Sequence, residues 1–181
     1  MVDAKIFETP WGWMGIAASN MGICRIVLPC ASRHAVEMHL LPQARSSGHH
    51  PSSLTTDSLP GATTVLLTSH AQLTEFLDGT RRMLDFPLDL SCGSPFQRRV
   101  WQMTRRIPYG RVRSYKWVAT RVGGRHYARA VGLALGANPV PLIVPCHRVV
   151  AHDGSLGGFS GGLRVKRHLL ELEGTLPQLG G

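Results

Sequence analysis

The run "NPVPLIVPCHRVV" (138–150) places Cys146 directly before His147 and Arg148. A thiol beside an imidazole can hand its proton to that base, and neighbouring cations favour the thiolate, the form that attacks electrophilic carbon. Apolar surroundings oppose this by raising the thiol pKa, and a cysteine that only fills a core is the commoner case. Adjacent Cys-His is not a zinc-finger spacing and no C-x-x-C pair accompanies it, so a metal centre here is a weak reading. The other cysteines, Cys24, Cys30 and Cys92, are irregularly placed in a chain too long to need stapling, which favours free thiols over disulfides. Cys24, Cys30, His34 and His39 have the side chains of a zinc site, but their spacing fits scattered core and surface residues better.

The elements around the thiol must position it. Prolines at 139, 141 and 145 predict an extended, stiff path that carries Leu142, Ile143 and Val144 up to Cys146. Neighbouring side chains on an extended segment point apart, so His147 reaches the thiol proton only through a turn at Pro145 and a bridging water. Upstream, "SPFQ" (94–97) puts Ser94 at an N-cap, Pro95 at the first helical position and Gln97 where a capping box needs it. The predicted helix runs to about Ile107, with Phe96, Val100, Trp101 and Ile107 on one face. Ser114 caps a second predicted helix over 115–122, stopped by Gly123 and Gly124, and a third over 127–137 follows at once.

Two short helices across a glycine-containing turn have the layout of a helix-turn-helix, which spacing alone does not establish. In the third helix Ala128, Ala130, Gly132, Ala134 and Gly136 allow a close backbone approach, usually by another helix. Arg129 among them is harder to explain as packing.

The formal net charge of +9 is unevenly distributed. Residues 1–89 carry six Lys/Arg against eight Asp/Glu, and residues 90–181 carry fourteen against three, so the halves sum to −2 and +11. Between Leu90 and His152 there is no carboxylate but eleven Lys/Arg, including Arg98, Arg99, Arg105, Arg106 and Arg129. A polyanion fits that surface, with a solvated basic face as the bland alternative. In the first half, 4–29 reads as a β-hairpin or meander broken at Pro10-Trp11-Gly12 and Ser19-Asn20-Met21-Gly22, 42–62 as a loop, and 63–77 as a helix. No apolar run approaches the ~18 residues of a membrane span and the N-terminus lacks a basic-then-apolar leader, so a cytoplasmic protein is expected.

Taken together, "NPVPLIVPCHRVV", "ARAVG" (128–132), "FQRRVWQ" with "IPYGRVRSY" (96–115) and "GGFSGGLRVKRHLLELEG" (157–174) resemble the O6-alkylguanine-DNA alkyltransferase family. The resemblance is strong over about 85–174 and looser over 4–29. It implies a mixed α/β (α+β) fold: a ribonuclease-H-like α/β domain over 1–88, and a mostly helical, winged-helix-like domain with a helix-turn-helix over 89–181 for DNA binding and alkyl acceptance. It implies a monomer that repairs DNA by direct reversal, moving an alkyl group from O6-alkylguanine, and also O4-alkylthymine, irreversibly to Cys146. Each molecule would act once, with no cofactor and no metal; no GxGxxG or P-loop occurs in the chain.

The resemblance also assigns roles. Cys146 attacks the alkyl carbon, His147 is the base through a water, Glu173 orients His147, Tyr115 donates to the guanine, and Asn138 supports the turn before the thiol. The helix-turn-helix enters the minor groove of double-stranded DNA, with Arg129 filling the gap left by the flipped base and Tyr127, Ala128, Gly132 and Ser114 contacting DNA. Leu135, Pro141, Val149, Phe159 and Ser160 line the base pocket. The chain departs from the family's pattern at Phe159, commonly tyrosine, at His168, where tryptophan is common, and at the bulky pair His126-Tyr127. A damage sensor without alkyl transfer would lack the cysteine, and a thiol hydrolase would leave the basic half and the Arg129 helix unexplained.

Overall fold

Apolar, β-branched runs broken at two tight turns form an antiparallel meander, β1 (Asp3–Thr9), β2 (Gly12–Ser19) and β3 (Gly22–Cys30), with β2 in the centre. The computed structural model describes residues 2–40 and 60–176, and these divide into two units, Met1–Asp89 and Leu90–Gly181. The meander belongs to the first. Met14 through Ala18 of β2 are all buried, which requires cover on both faces of the sheet. Helix α1 (Arg33–Leu40) lies over Gly15, where a Cβ would stand 2.5 Å from Val36 Cγ1. On the opposite face Phe7, paired with Met14, meets the His70 ring of helix α2 (Pro60–Leu77) at 4.2 Å between centroids.

The meander agrees with the pattern read from sequence, and two details differ. Helix α1 was not expected; Ser32 starts it, its hydroxyl accepting from the Ala35 amide at 3.2 Å. Helix α2 begins at Pro60 rather than at 63, because a proline suits the first helical turn. The loop expected over 42–62 lies outside the described residues as far as 59. Beyond α2 the chain returns to β3: the Ile23 amide donates to Pro87 O (2.8 Å), the Asp89 amide to Ile23 O (2.9 Å), and Ser19 Oγ to Asp89 Oδ2 (2.7 Å). At Gly22, with φ +140°, a Cβ would meet the Pro87 carbonyl at 2.4 Å, so this close approach requires glycine.

The second unit is built on three short helices, α3 (Pro95–Thr104), α4 (Tyr115–Val122) and α5 (Ala128–Gly136). The full capping box at Ser94 and Gln97 and the Ser114 cap on α4 are both present. Helix α3 stops at Thr104, short of Ile107, and its last turn tightens: the Arg106 amide donates to Met103 O and that of Ile107 to Thr104 O. Pro108 disfavours helical backbone at the residue before it, which accounts for the early stop. A 3-10 turn, Arg125–Tyr127, precedes α5. Val100 and Trp101 of α3 and Val131, Ala134 and Leu135 of α5 are buried, and the Trp101 indole donates to Ala134 O at 2.8 Å.

Two further elements complete the unit. β4 (Arg113–Ser114) pairs in parallel with β5 (Val149–Val150), joining the start of α4 to the segment that follows the cysteine. Helix α6 (Leu163–Leu172) presents Lys166, Leu169 and Leu170 to the interior. None of the described helices is long and apolar enough to cross a membrane.

Candidate active site

The chain between α5 and β5 is not the extended rod that its prolines predict. Val140 and Val144 close a turn through an amide-to-carbonyl bond of 3.0 Å, Pro141 and Val144 form an isolated bridge, and Leu142 takes φ +74°. Left-handed backbone at leucine costs on the order of 1 kcal/mol, and every residue from Val140 to Val150 is buried around it. Asn138 holds the turn together. Its Oδ1 accepts from the Val140 amide (3.0 Å), and its Nδ2 donates both to Val144 O (2.9 Å) and to Cys146 Sγ (3.2 Å).

After Pro145 the backbone coils into a 3-10 turn, Cys146–Arg148, which is the turn expected at that proline. Cys146 is 5% exposed. Burial pushes its thiol up, and the Asn138 hydrogen bond and the Lys166 charge pull against that without cancelling it. The resting sulfur is therefore a protonated thiol.

His147 is fully buried, and its Nε2 lies 2.8 Å from Glu173 Oε1. Burial works to raise the Glu173 carboxyl, but the hydrogen bonds and charges of His147 and Arg148 overcome it and hold Glu173 at about 2. An ionised carboxylate only accepts, so His147 carries its proton on Nε2 and its lone pair on Nδ1. Burial pulls the His147 pKa down, with Glu173 opposing, so the imidazole is neutral. Nδ1 is buried and has no hydrogen-bond partner among the described residues.

Arg148, expected to favour the thiolate, is committed elsewhere. Its Nε donates to Glu173 Oε2 (2.9 Å), its Nη2 to Oε1 (2.9 Å), and its Nη1 to Ile107 O (2.7 Å). The fork geometry of a guanidinium on a carboxylate fixes both groups and directs the charge away from the sulfur. The Gly110 amide adds a fourth residue to this network, donating to Glu173 Oε2 at 3.1 Å.

The cation that acts on Cys146 is instead Lys166, which the sequence reading passed over. Its ammonium is wholly buried and donates to the carbonyls of Val149 (2.6 Å), Leu156 and Gly158 (3.5 Å). Burial lowers it to about 8. One signal was available: Lys166, Leu169, Leu170 and Glu173 recur at i, i+3, i+4 and i+7, so two charged residues occupy the apolar stripe of α6.

Tyr115 opens α4 directly after β4, and the β4–β5 pairing brings it toward the acceptor turn. Its hydroxyl donates to Gly158 O at 3.2 Å, and burial, then the charge of Cys146, push the phenol up, so it remains a donor. The loop fits closely over the ring: at Gly157, φ +65°, a Cβ would lie 3.0 Å from Tyr115 Cε2. Gly132 of α5 also faces this ring, at 3.9 Å from the same kind of added carbon.

The remaining candidates fall into two groups. Leu135, Pro141 and Val149 are buried beside the acceptor turn, while Phe159 is half-buried and Ser160 exposed on the following loop. Arg129 and Tyr127 are exposed, Ala128 is half-buried beside them at the start of α5, and the Ser114 hydroxyl is engaged as the α4 cap. Among the described residues, no group of three or more His, Cys, Asp or Glu could hold a metal ion.

These features define a class: a mixed α/β protein whose second unit holds one buried thiol within an Asn, His, Glu, Arg and Lys network and carries an arginine on a short exposed-ended helix, α5. Residues 95–175 match the family model described as 6-O-methylguanine DNA methyltransferase, DNA binding domain. The methylated-DNA--protein-cysteine methyltransferase of Mycobacterium tuberculosis is 50% identical over 102 residues, 56% of this chain and 61% of that protein. The inducible enzyme of the same name from Bacillus subtilis is 43% identical over 102 residues, 56% of each chain. The sequence match thus spans about 61% of the length of the first of these curated relatives.

Solved structures extend the likeness over both units. The Mycobacterium tuberculosis O6-methylguanine methyltransferase superimposes with a TM-score of 0.70 at 33% identity, covering 96% of this chain and 93% of that one. A Mycobacterium tuberculosis OGT in complex with DNA gives a TM-score of 0.73 at 35% identity, covering 94% and 92%. The chain belongs to the 6-O-methylguanine DNA methyltransferase family.

Proposed function

We propose that the protein repairs DNA by transferring the alkyl group of O6-alkylguanine, and also of O4-alkylthymine, to Cys146 in a single, irreversible turnover. The observation that carries this reading is the buried Cys146 thiol with Asn138 on its sulfur and a neutral His147, aligned by Glu173, next to it in the chain. His147 Nδ1, through one water, takes the thiol proton as Sγ attacks the alkyl carbon in line with the bond to O6. The C–O bond breaks as the C–S bond forms, and the electron pair passes into the guanine ring. Tyr115, held as a phenol, supplies a hydrogen bond or proton to the leaving base. Water does not cleave the thioether product, so the acceptor is not regenerated and no cofactor takes part.

In this reading DNA enters as a duplex, with α5 in the minor groove. Arg129 stands outward at its N-terminal end with no charged partner among the described residues, suited to fill the space of an extruded base. Tyr127, Ala128, Gly132 and Ser114 surround it as groove and backbone contacts. Leu135, Pro141, Val149, Phe159 and Ser160 form the base pocket, and Phe159 gives it a wall without a hydroxyl.

We assign the ribonuclease-H-like description to the meander with its two helices, 1–88, and the winged-helix-like description to α3–α5 with the β4–β5 pair, 89–181. We further assign a monomeric, cytoplasmic protein. The test is mass spectrometry of the Cys146 peptide after incubation with duplex DNA carrying O6-methylguanine: a gain of one methyl group on Cys146 is expected, and an unmodified peptide after complete incubation overturns the reading.

A further inference from the structure

The arginines of α3 and of the turn that closes it form a second cationic face. Arg98, Arg99, Arg105 and Arg106 are all exposed, whereas Val100, Trp101, Thr104 and Ile107 are buried. On the helix Arg98 and Arg99 lie about 100° apart at 3.6 residues per turn, on the side away from Thr104, and Arg105 and Arg106 follow in the tightened turn that closes it. None of the four makes an ion pair among the described residues, and the sequence offers no carboxylate from Leu90 to His152 to neutralise them.

This face is not the α5 face. The buried side of α3 carries Trp101, whose indole bonds Ala134 O of α5, and the buried side of α5 carries Val131, Ala134 and Leu135. Arg129 lies on the opposite side of α5 from those three residues. The outward faces of the two helices therefore point away from each other across a packed pair whose axes lie about 8–10 Å apart. Arg99 stands nearest α5, its guanidinium 5.8 Å over the Phe96 ring, which meets the Tyr127 ring at 5.7 Å, so the separate stripe is Arg98, Arg105 and Arg106, which a duplex seated on α5 leaves unused.

We infer that the α3 stripe binds the phosphate backbone of a second duplex segment, so that one molecule passes directly from one stretch of DNA to another. This rests on the proposed DNA substrate but not on the chemistry at Cys146. Arginine clusters without counter-charges recognise phosphates by charge and by the fork geometry of the guanidinium. Two separate backbone sites permit transfer without complete release, which lets a protein that acts once search more DNA before it reacts.

The test follows dissociation from a labelled undamaged duplex of about one and a half helical turns, against rising concentrations of unlabelled duplex. The native protein is expected to dissociate several-fold faster as competitor increases. The Arg98→Gln/Arg105→Gln/Arg106→Gln variant is expected to lose that dependence and to show a shallower salt slope, by about 0.9 per phosphate contact removed. A native rate independent of competitor, or a variant that keeps the dependence, overturns the inference. So does a loss of affinity for a single short duplex equal to that of Arg129→Ala, which would make the stripe part of one continuous footprint. Alkyl transfer from a free O6-alkylguanine base, measured on the same preparations, reads the Cys146 chemistry and the integrity of the fold separately.

Discussion

Three groups converge on Glu173, since His147, Arg148 and the Gly110 amide all meet its two oxygens. Replacing it with glutamine leaves a buried guanidinium facing a neutral amide, a change of the kind that costs about 3–5 kcal/mol. The expected outcome for Glu173→Gln is a lower denaturant midpoint together with slower alkyl transfer, read by chemical unfolding and single-turnover kinetics. Acid sensitivity follows from the same group. Its folded pKa of about 2 lies below the unfolded value of about 4.3, so its contribution is present above the unfolded pKa and lost as pH falls toward the folded one.

His147 acts earlier in the same titration. Burial depresses its folded pKa, so on acidification the unfolded chain takes a proton before the native one, and stability declines below about pH 6.5. Thermal unfolding across this range should show two successive losses, and His147→Gln should shrink the one nearer neutrality, leaving the share of His70, whose pKa burial and Lys5 also lower. Cys146, His147, Glu173, Tyr115 and Asn138 were all legible as candidates from residue type and family resemblance. The partners of Arg148 and Lys166 were not, because a guanidinium that reaches Ile107 O and an ammonium that reaches Leu156 O depend on contacts 41 and 10 residues apart along the chain.

Among the elements, the loop that covers Tyr115 is the sharpest constraint. Gly157→Ala introduces a Cβ 3.0 Å from the ring at a φ of +65°, a conformation costing other residues roughly 1–2 kcal/mol. The expected outcome is a transfer rate reduced by about tenfold or more, corresponding to ~1.4 kcal/mol or more in the barrier, with alkylation still reaching completion. Lys166→Met removes the donor to three backbone carbonyls in and beside the same loop. Each carbonyl left buried costs about 1–3 kcal/mol, so hydrogen exchange at 156–158 should accelerate and the melting temperature fall. Helix starts were readable where a cap and a period coincide, as at Ser94 and Ser114. The Val140–Val144 turn was not, because three prolines argue for extended chain and only the Asn138 side chain, with burial around Leu142, reverses that preference.

At the scale of the whole molecule, the uneven charge makes the proposed duplex binding salt-dependent, while reaction with a free alkylated base has no polyanion to lose. Raising salt should slow repair in DNA by an order of magnitude or more and leave free-base transfer nearly unchanged, measured side by side. The plateau of alkyl transferred should equal the protein present, whatever the excess of damaged DNA. The Met1–Asp89 and Leu90–Gly181 units correspond closely to the change in charge along the sequence, since the basic, carboxylate-poor stretch begins at Leu90.

The three-way hold on Glu173 also sets an order of assembly. Cys146 leaves the ribosome before Glu173, the residue that aligns His147 and neutralises Arg148. Until that carboxylate arrives the nascent chain has its thiol but lacks the aligned base, and the proposed single-use acceptor is armed only once the end of α6 has been made.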